Sequence, residues 1–397
     1  MVNTPRLIRK MDEIKLDGIV ATTLGNVYYL TGVYDAGLFS FPYDHQSFAV
    51  VTRNEPDKPV FITSKGLSNQ VLDGYVSIQD VITYGEFFRE GPFGGVPLSQ
   101  DDYRLIDILK TESTPSPVDA LALALERLDL SDKRIGIDEI NIKPKVFRAL
   151  QTKFPKAKFE NVSSALRWVR KVKTPEEIAK IRRVSEINEN GILAAMALAR
   201  EGITEAEMVQ AYECAVINQG GQLHASWLRF GAGGVAAERK PNNTRLKKGE
   251  PIFLDLSCAY QGYFADFGRV GCLGEPSARL RKIYSALLEG HRTVINETRP
   301  GMTGEDVFRM TMEVTKTAGF TQYKRHHVGH GIGLELYEDV LLAPGVNEVI
   351  EDGTVVNAEF PYYEFGLGGI IVEDPFVVRS TGNELLTTLS QNLLLAE

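Results

Sequence analysis

The second half of the chain contains an internal repeat with an offset of 99 residues. REGITEAEMVQAYECAVINQGG, which begins at Arg200, aligns with RPGMTGEDVFRMTMEVTKTAGF, which begins at Arg299. Each copy has a residue that can cap a helix, Thr204 or Thr303, and a glycine where that helix would end. Because a β-rich stretch with a candidate hairpin follows each copy, the sequence predicts two related α+β halves with a site between them.

The chain before this repeat follows another pattern. From Asp17 to about Glu160, short β-rich runs alternate with helical stretches, which is typical of an α/β domain. A capping box at Thr174 and Glu177, with Pro175 at the first helical position, then opens a long amphipathic helix. We therefore expect an α/β domain at residues 1–165 and an α+β domain at residues 166–397.

Composition and charge exclude several classes of protein. The 397 residues include 44 Lys and Arg against 52 Asp and Glu, a net charge of −8 that argues against nucleic-acid or anionic-lipid partners. Since the N-terminus lacks a signal-peptide pattern and no run reaches about 18 apolar residues, we expect a cytoplasmic protein that does not span a membrane. The three cysteines have no CxxC spacing and are predicted to be reduced structural thiols.

The first candidate hairpin, PIFLDLSCAYQGYFADFGRVG, places two aspartates among apolar residues. If Tyr260 and Gln261 form the two-residue turn, Asp255 and Asp266 lie directly opposite each other on one face. Opposed like charges in a buried sheet are destabilising unless they are compensated. A bound cation would compensate them.

The second candidate hairpin, TVVNAEFPYYEFGLGGIIVEDPFVV, repeats the arrangement with glutamates. A hairpin centred on Gly366 places Glu359 opposite Glu373. One such acid alone would more simply be a solvated strand residue. Two mirrored pairs in apolar strands instead favour a metal site.

A histidine segment, HHVGHGIGLELYED, lies between the two hairpins. His330, between Gly329 and Gly331, can be approached closely by other backbone and suits a metal ligand, whereas His326 and His327 could equally be core residues. Four carboxylates and one imidazole form a hard donor set that fits two divalent ions, such as Mn, Co, Fe or Zn. Two such ions activate a bridging water and polarise a carbonyl, which is hydrolytic chemistry.

The order of these residues resembles the pita-bread metallopeptidase family, which includes methionine aminopeptidase, aminopeptidase P, prolidase and creatinase. The positions of Asp255, Asp266, His330 within GHGIG, Glu359 and Glu373 all match. DGIVATTLGNVYYLTGV resembles the creatinase/prolidase N-terminal domain, and KTPEEIAKIRR resembles the start of the catalytic domain. The resemblance implies a creatinase-like α/β domain followed by a pita-bread domain with a pseudo-two-fold repeat.

The resemblance also implies roles for the five residues. Asp255 and Asp266 would hold one metal, and His330 and Glu359 the other, with Asp266 and Glu373 bridging the two. Glu359 would also be the general base for the attacking water.

The surroundings of these residues depart from the peptidases of the family. Tyr337 stands where a histidine usually follows GHGIG, and Ile371 stands where an arginine usually precedes the last glutamate by two residues. His326 stands where the remaining shuttle histidine is expected. We therefore predict that His326 and Tyr337 take part in catalysis, with Tyr337 donating to the oxyanion, although a packing role for Tyr337 is an open alternative.

Further residues outside the five ligand positions are candidates for substrate binding. Arg239 and Lys240, in AAERKPNN where a loop histidine is usual, could hold a substrate carboxylate or lie in a solvated loop. His224 could replace the missing histidine or pack in the core. In relatives the N-terminal domain caps the site of a partner subunit, so we predict a homodimer with Phe39, Tyr43 or His45 near the neighbour's substrate, the alternative being an internal loop.

Three classes of function are compatible with the sequence. The first is a dinuclear hydrolase of a C–N bond, either an Xaa-Pro dipeptidase or aminopeptidase, or a relative that hydrolyses a small amide or amidine, as creatinase or ectoine hydrolase does. The second is a metal-dependent lyase, and the third is an inactive binding protein, which the five matching ligand positions disfavour. Within the first class we predict a small or short-peptide substrate that bears a carboxylate.

Overall fold

The structure is a computed structural model that describes residues 2–74, 78, 80–91, 94–111 and 113–397. The chain divides into two compact units, Met1–Arg170 and Lys171–Glu397. No helix within the described residues is long and apolar enough to cross a membrane. All three cysteines are free, with Cys214 exposed and the other two buried.

The first unit is built around a mixed six-stranded sheet in the order β4-β3-β2-β1-β5-β6. The strands are β1 (Gly18–Ala21), β2 (Phe48–Thr52), β3 (Val60–Ser64), β4 (Asp80–Tyr84), β5 (Arg134–Ile137) and β6 (Lys158–Asn161). Strand β1 pairs antiparallel with β2 and parallel with β5, so the sheet is of the α/β type that the alternating pattern predicts. Residues 76, 77 and 79, in the first part of the predicted strand VSIQDVITY, lie outside the described residues.

Helices cover this sheet. They are α1 (Thr4–Ile14), α2 (Leu24–Thr31), α3 (Ala36–Ser40), α4 (Gln100–Lys110), α5 (Pro117–Arg127), α6 (Pro144–Lys153) and α7 (Ser163–Lys171), with a 3₁₀ helix at Lys65–Leu72. Helix α5 buries its alanine and leucine face against the strands, where Leu121 and Leu125 join Val50 and Ile62 in one apolar core. The predicted helical runs at 119–130 and 143–154 correspond to α5 and α6.

The second unit opens with the predicted long helix. Helix α8 (Pro175–Met196) has Thr174 as its N-cap, and the side chains of Thr174 and Glu177 form the expected reciprocal capping box. Its residues Ile181 and Val184 are fully buried, which confirms the helical spacing of apolar residues in the sequence. The other helices are α9 (Glu205–Asn218), α10 (Ala278–Glu297) and α11 (Gly304–Thr317), with a 3₁₀ helix at Gly231–Ala236.

The internal repeat predicted from the sequence is present in this unit. Helices α9 and α11 begin and end 99 residues apart, and each starts with a capping box at its threonine, Thr204 or Thr303. Each threonine also makes an isolated bridge to a later segment, Thr204 with Arg245 and Thr303 with Val349. One apolar core lies around α8 and α9, and a second lies around α10 and α11.

Each half of the repeat contributes a sheet. The first has the order β17-β9-β8-β7, and the second has the order β11-β10-β12-β15-β16. The strands are β7 (Gln222–Phe230), β8 (Pro251–Tyr260), β9 (Tyr263–Leu273), β10 (Gly329–Gly331), β11 (Glu338–Leu341), β12 (Val355–Glu359), β13 (Tyr362–Glu364), β14 (Gly368–Ile370), β15 (Glu373–Val377), β16 (Glu384–Leu385) and β17 (Leu394–Ala396). Strands β13 and β14 form a separate two-stranded ribbon.

The register of the first hairpin differs from the prediction. Tyr260 pairs with Tyr263, so the turn is Gln261-Gly262, and Asp255 faces Gly268 while Asp266 faces Ser257. The two turn residues have φ of 48° and 79°, which is the backbone that a type I′ hairpin turn requires. The prediction that the two aspartates are directly opposed was therefore wrong, because it placed Gly262 in the strand and not in the turn. The shift is of two residues, so both aspartates stay on one face as diagonal neighbours.

The second hairpin has the predicted register. Glu359 lies opposite Glu373 across β12 and β15, and the same register continues into the ribbon, where Tyr363 faces Gly369. Gly366 lies at the tip with φ of 89°. The two glutamates are therefore close together on neighbouring strands, as the sequence indicated.

Candidate active site

Three of the five predicted metal ligands form a compact buried group. Asp266 on β9, His330 on β10 and Glu373 on β15 each offer one ligand atom, and these atoms all lie within 4.8 Å of one another. The Nε2 atom of His330 is 3.9 Å from Oδ2 of Asp266 and 4.0 Å from Oε1 of Glu373. The three strands come from both halves of the repeat, so the group lies where the halves meet.

The other two predicted ligands are buried beside this group. Burial raises the pKa of Asp255 well above its usual range, and the charges of Asp266 and Glu359 raise it further. Burial raises the pKa of Asp266 to about 8, again with a contribution from Glu359. Burial and the same neighbouring carboxylates raise the pKa of Glu373 well above its usual range. The four carboxylates repel one another in a desolvated site, which is the condition that a bound cation relieves.

The tautomer of His330 is set by its own strand. Its Nδ1 atom is 2.9 Å from the carbonyl oxygen of Gly331, so Nδ1 carries the proton and donates it to that carbonyl. The Nε2 atom is buried and has no hydrogen-bond partner. Burial lowers the pKa of His330 to about 4, so the ring is neutral at pH 7 and presents a free lone pair toward Asp266 and Glu373. Gly329, with φ of 151° and no room for a side chain beside Asn357, permits this tight strand.

Tyr337 covers the face of His330. The two rings are stacked, with centroids 3.6 Å apart and planes 13° from parallel. The Tyr337 hydroxyl donates to Oε2 of Glu359 at 3.3 Å, although the residue as a whole is 45% exposed. The structure therefore brings this predicted residue to the carboxylates.

A second histidine and an arginine lie against Glu359. Nδ1 of the buried His327 is 3.5 Å from Oε2 of Glu359, and the Arg325 guanidinium is 3.5 Å from Oε1. Burial raises the pKa of Glu359 to about 7, and the charge of Arg325 opposes the rise. Burial lowers the pKa of His327 to about 3, so this ring is neutral at pH 7. Sequence reasoning assigned no role to Arg325, because nothing in the local pattern places it near the later glutamate.

The structure distinguishes the two adjacent histidines. His326, which we predicted to be catalytic, is exposed, and its ring packs edge-on against His327. His327 is the histidine that approaches Glu359 and that also contacts Tyr337. The prediction followed the position of His326 in the motif. The segment has no regular secondary structure, so the motif alone does not show which of the two adjacent side chains points inward.

The predicted substrate residues of the second unit have different environments. His224 lies on β7 at a bulge, and its Nδ1 atom is 3.0 Å from Oγ of Ser257, the residue paired with Asp266. It is exposed, so the alternative of core packing was wrong. Arg239 and Lys240 are exposed in the loop that follows the second 3₁₀ helix, as the solvated-loop alternative has it.

The predicted substrate residue of the first unit is buried. Nε2 of His45 is 2.6 Å from Oγ of Ser47 and 3.4 Å from Oδ1 of Asp35. This internal network fits the alternative of an internal loop for His45. Phe39 and Tyr43 of the same segment are 66% and 89% exposed.

Buried polar residues that sequence reasoning missed support Glu373. Asn357 donates from Nδ2 to Oε1 of Glu373 at 2.6 Å, and Arg269 donates to the carbonyl oxygen of Glu373 at 2.8 Å. Arg269 also pairs with Asp374 at 2.7 Å, and His291 lies 3.2 Å from the other oxygen of Asp374. Burial acts to raise the pKa of Asp374, but the charge of Arg269 and the contact with His291 outweigh it and hold the pKa at about 2.

Comparison with known proteins agrees with this architecture. Residues 179–380 match the model of metallopeptidase family M24, and residues 4–172 match the model of the creatinase/prolidase N-terminal domain. An uncharacterized peptidase of Staphylococcus aureus strain USA300 is 26% identical over 395 residues, which cover 98% of this chain and 99% of that protein.

Solved structures share the whole fold. The X-Pro aminopeptidase from Thermotoga maritima MSB8 is similar with a TM-score of 0.75 and 22% identity, covering 100% of both chains. The Xaa-Pro dipeptidase from Bacillus anthracis is similar with a TM-score of 0.76 and 23% identity, covering 99% of both chains. The predicted pita-bread fold is thereby confirmed. The chain belongs to metallopeptidase family M24 with a creatinase/prolidase N-terminal domain, which confirms the predicted class of a metal-dependent hydrolase.

Proposed function

We propose that the chain is a dinuclear metal-dependent hydrolase of a C–N bond, of the Xaa-Pro dipeptidase or aminopeptidase type. The buried Nε2 atom of His330 carries this proposal, because it has no hydrogen-bond partner and faces the carboxylates of Asp266 and Glu373. A divalent cation satisfies an imidazole lone pair and two carboxylates together.

The donor set fits two divalent ions. Asp255 and Asp266 would hold one ion and His330 and Glu359 the other, and Asp266 and Glu373 would be shared by both. When bound, such ions supply a water of lowered pKa and a Lewis acid for the substrate carbonyl. Mn, Co, Fe and Zn all suit these ligands, and manganese is the ion that we propose for the cell.

Residues around Glu359 are placed to move a proton. The Tyr337 hydroxyl orients the Glu359 carboxylate, and His327 contacts the same carboxylate oxygen. We propose that Glu359 accepts the proton of the attacking water and that His327 passes it to the departing amine. His327 takes the role that the sequence suggested for His326, because His326 is exposed.

The proposed substrate is a dipeptide or another small amide. Solved relatives are named as an X-Pro aminopeptidase and an Xaa-Pro dipeptidase, which supports proline at the cleaved bond. Hydrolysis of a small non-peptide amide or amidine is the second candidate, because the fully buried Ile371 takes the place of the arginine that family peptidases carry. A homodimer and a cytoplasmic location stay predictions from the sequence.

A substrate screen of the manganese-loaded protein tests the proposal. The panel is glycylproline, an Xaa-Pro pentapeptide, creatine and ectoine, with products identified by mass spectrometry. We expect release of proline from glycylproline, loss of this activity in Asp266→Asn, and no loss in Asp107→Asn, which removes an exposed charge in the first unit. Turnover of creatine or ectoine alone would replace the peptidase assignment with the second candidate, and hydrolysis of none of the four would contradict both.

A further inference from the structure

Arg269 is a fully buried arginine on β9, three residues after the proposed ligand Asp266. All five N–H donors of its guanidinium make hydrogen bonds. Nε donates to the carbonyl oxygen of Ser390 at 2.9 Å, Nη1 to the carbonyl oxygens of Gly268 and Glu373 at 2.8 Å each, and Nη2 to Oδ1 of Asp374 at 2.7 Å and to the carbonyl oxygen of Leu389 at 3.1 Å. One side chain therefore joins β9, the start of β15 and the C-terminal segment.

These bonds cross the place where the sheets of the two halves meet. Strand β9 pairs with β8 and β17, and β15 pairs with β12 and β16. Across the part of the chain that the structure describes, no strand ladder joins β9 to β15. The separation of these two strands consequently depends on side chains. Arg269 provides two directional hydrogen bonds between them, to the carbonyl oxygen of Glu373 and to the carboxylate of Asp374.

The same two strands carry the proposed ligands Asp266 and Glu373. Their carboxylates belong to the group whose ligand atoms all lie within 4.8 Å of one another. Because successive strand residues point to opposite faces, the Arg269–Asp374 pair lies behind the face that carries the two ligands. Arg269 holds the backbone of Glu373, and Asn357 donates to its side-chain oxygen at 2.6 Å. Both ends of this ligand are thus fixed.

The ion pair between Arg269 and Asp374 has further partners. Oδ1 of Asp374 also accepts from Oγ1 of Thr387 at 2.6 Å, and its Oδ2 atom lies 3.2 Å from Nε2 of His291. A buried ion pair contributes little net stability compared with apolar side chains of similar volume, whereas a planar fork of five donors fixes the direction of each group that it binds. The arrangement therefore favours a geometric role over a purely stabilising one.

We propose that Arg269 is a positioning residue that sets the separation of the metal ligands Asp266 and Glu373. This inference rests on the proposed function, since it concerns the two carboxylates that both ions would share. Arg269 acts through the backbone, because its bonds to Glu373 and Asp374 hold β15 against β9. When the separation changes, one ion can still be held by the ligands that stay in place, whereas a second ion binds only where both carboxylates reach both ions.

The variant Arg269→Lys separates this geometry from the charge. Lysine keeps a positive charge beside Asp374 but presents one ammonium in place of the planar fork, so it cannot bind both strands and the C-terminal segment together. Calorimetric titration of the metal-free protein with manganese measures the affinity of each ion. We expect the affinity for the second ion to fall about 10- to 100-fold in Arg269→Lys, and the affinity for the first ion to fall less.

Electron paramagnetic resonance adds a readout that a loss of stability alone would not change. Two manganese ions that share carboxylates are spin-coupled, whereas an isolated manganese(II) ion gives a six-line spectrum. After removal of free ions, we expect the coupled spectrum from the wild type and the six-line spectrum from Arg269→Lys. An unchanged affinity for the second ion, or a coupled spectrum equal to that of the wild type, would overturn the proposal.

Arg229→Lys is the matched control. Arg229 is another buried arginine of the second unit; it pairs with Glu205 at 3.1 Å and donates to the carbonyl oxygen of Lys240. Urea unfolding measures the loss of stability in both variants, and Arg229→Lys should keep the wild-type affinity for both ions. An equal loss of the second ion in Arg229→Lys would overturn the proposal, because the effect would then be general to a destabilised unit.

A second variant keeps the test decisive if Arg269→Lys does not fold. Arg269→Gln combined with Asp374→Asn removes both charges together, so no buried charge is left unpaired. We expect the same weak binding of the second ion and the same six-line spectrum. If neither variant folds while Arg229→Lys does, Arg269 is required for the fold itself and the proposal is overturned.

Metal binding by the wild type separates this proposal from the proposed function. A wild type that binds one manganese ion only would contradict the dinuclear assignment. A loss of about 10- to 100-fold in the affinity for that single ion in Arg269→Lys would still support the role of Arg269, because Asp266 and Glu373 lie in one three-ligand group, and an unchanged affinity would overturn it. A wild type that binds no manganese would overturn both.

Discussion

Lys173 and Glu338 form an ion pair in the interior of the second unit. Their charged atoms are 2.8 Å apart, and each side chain is only 1% exposed. The other oxygen of Glu338 accepts hydrogen bonds from the backbone N–H groups of Leu334 and Glu335. The pair therefore holds the turn that leads into Tyr337, and Tyr337 lies on His330 in the candidate site.

Replacement of Lys173 by Met should be strongly destabilising. It leaves the Glu338 carboxylate buried without its counter-charge, and breaking a buried pair in this way costs about 3–5 kcal/mol. In the double variant with Glu338→Gln, the glutamine oxygen still accepts from the two backbone N–H groups and no charge is left unpaired. We expect the double variant to recover more than half of the lost free energy of unfolding.

Urea unfolding in a Trp168→Phe background measures this free energy. The chain has two tryptophans, so Trp227 on β7 then reports on the second unit alone. A loss of less than about 1 kcal/mol in Lys173→Met, the value of an exposed ion pair, would refute the reasoning. A double variant no more stable than the single variant would also refute it, because the cost would then not come from an unpaired charge.

Three further variants test other parts of the account. Burial raises the pKa of Glu177 to about 7 from an ordinary value near 4.5, so the folded state binds a proton that the unfolded state has lost. The free energy of unfolding therefore falls as pH rises through this interval. In unfolding measured at pH 4.5 and pH 8, Glu177→Gln should reduce this pH-dependent loss of stability by about 1–3 kcal/mol. Tyr337→Phe should lower kcat about 10- to 100-fold at unchanged metal content, because the ring remains but the hydroxyl that orients Glu359 is lost. Asn357→Ala should weaken metal affinity about 10- to 100-fold in calorimetric titration, because the 2.6 Å bond to Glu373 is lost.

Each of these variants has an outcome that contradicts its premise. An unchanged pH dependence in Glu177→Gln would show that this carboxyl is not the one that binds the proton. Loss of metal from Tyr337→Phe would mean that the hydroxyl supports the metal site, not only the reaction. Wild-type metal affinity in Asn357→Ala would mean that the Asn357 amide does not orient Glu373. Asn296→Ala, on α10, is the control for a general effect of removing a side-chain amide.

The glutamate hairpin and the repeat could be predicted because they depend on local patterns. Capping threonines, a glycine-rich tip and alternating apolar residues fix the ends and register of nearby elements. The predicted register of the aspartate hairpin differs by two residues from that of the structure, because the turn includes Gly262 and not Tyr260. The face of each aspartate was nevertheless correct, since a two-residue shift preserves it.

The residues around the metals could not be predicted in the same way. Arg325, His327, Asn357 and Arg269 reach the site through packing between segments far apart in the sequence, and single-sequence patterns carry no signal for such contacts. Motif alignment selected His326 because it occupies the expected position in the chain. The direction of its side chain depends on the backbone of an irregular segment, which only the folded structure provides.

The metal content of the purified protein tests the central claim most directly. After loading with manganese and removal of free ions, mass spectrometry should find two ions per chain in the wild type. Glu373→Ala, which removes a proposed shared ligand, should retain less than one. Glu364→Ala, which removes a half-buried ribbon carboxylate that pairs with Arg279, should retain two. Two ions in Glu373→Ala, or none in the wild type, would contradict the assignment of a dinuclear site to these five residues.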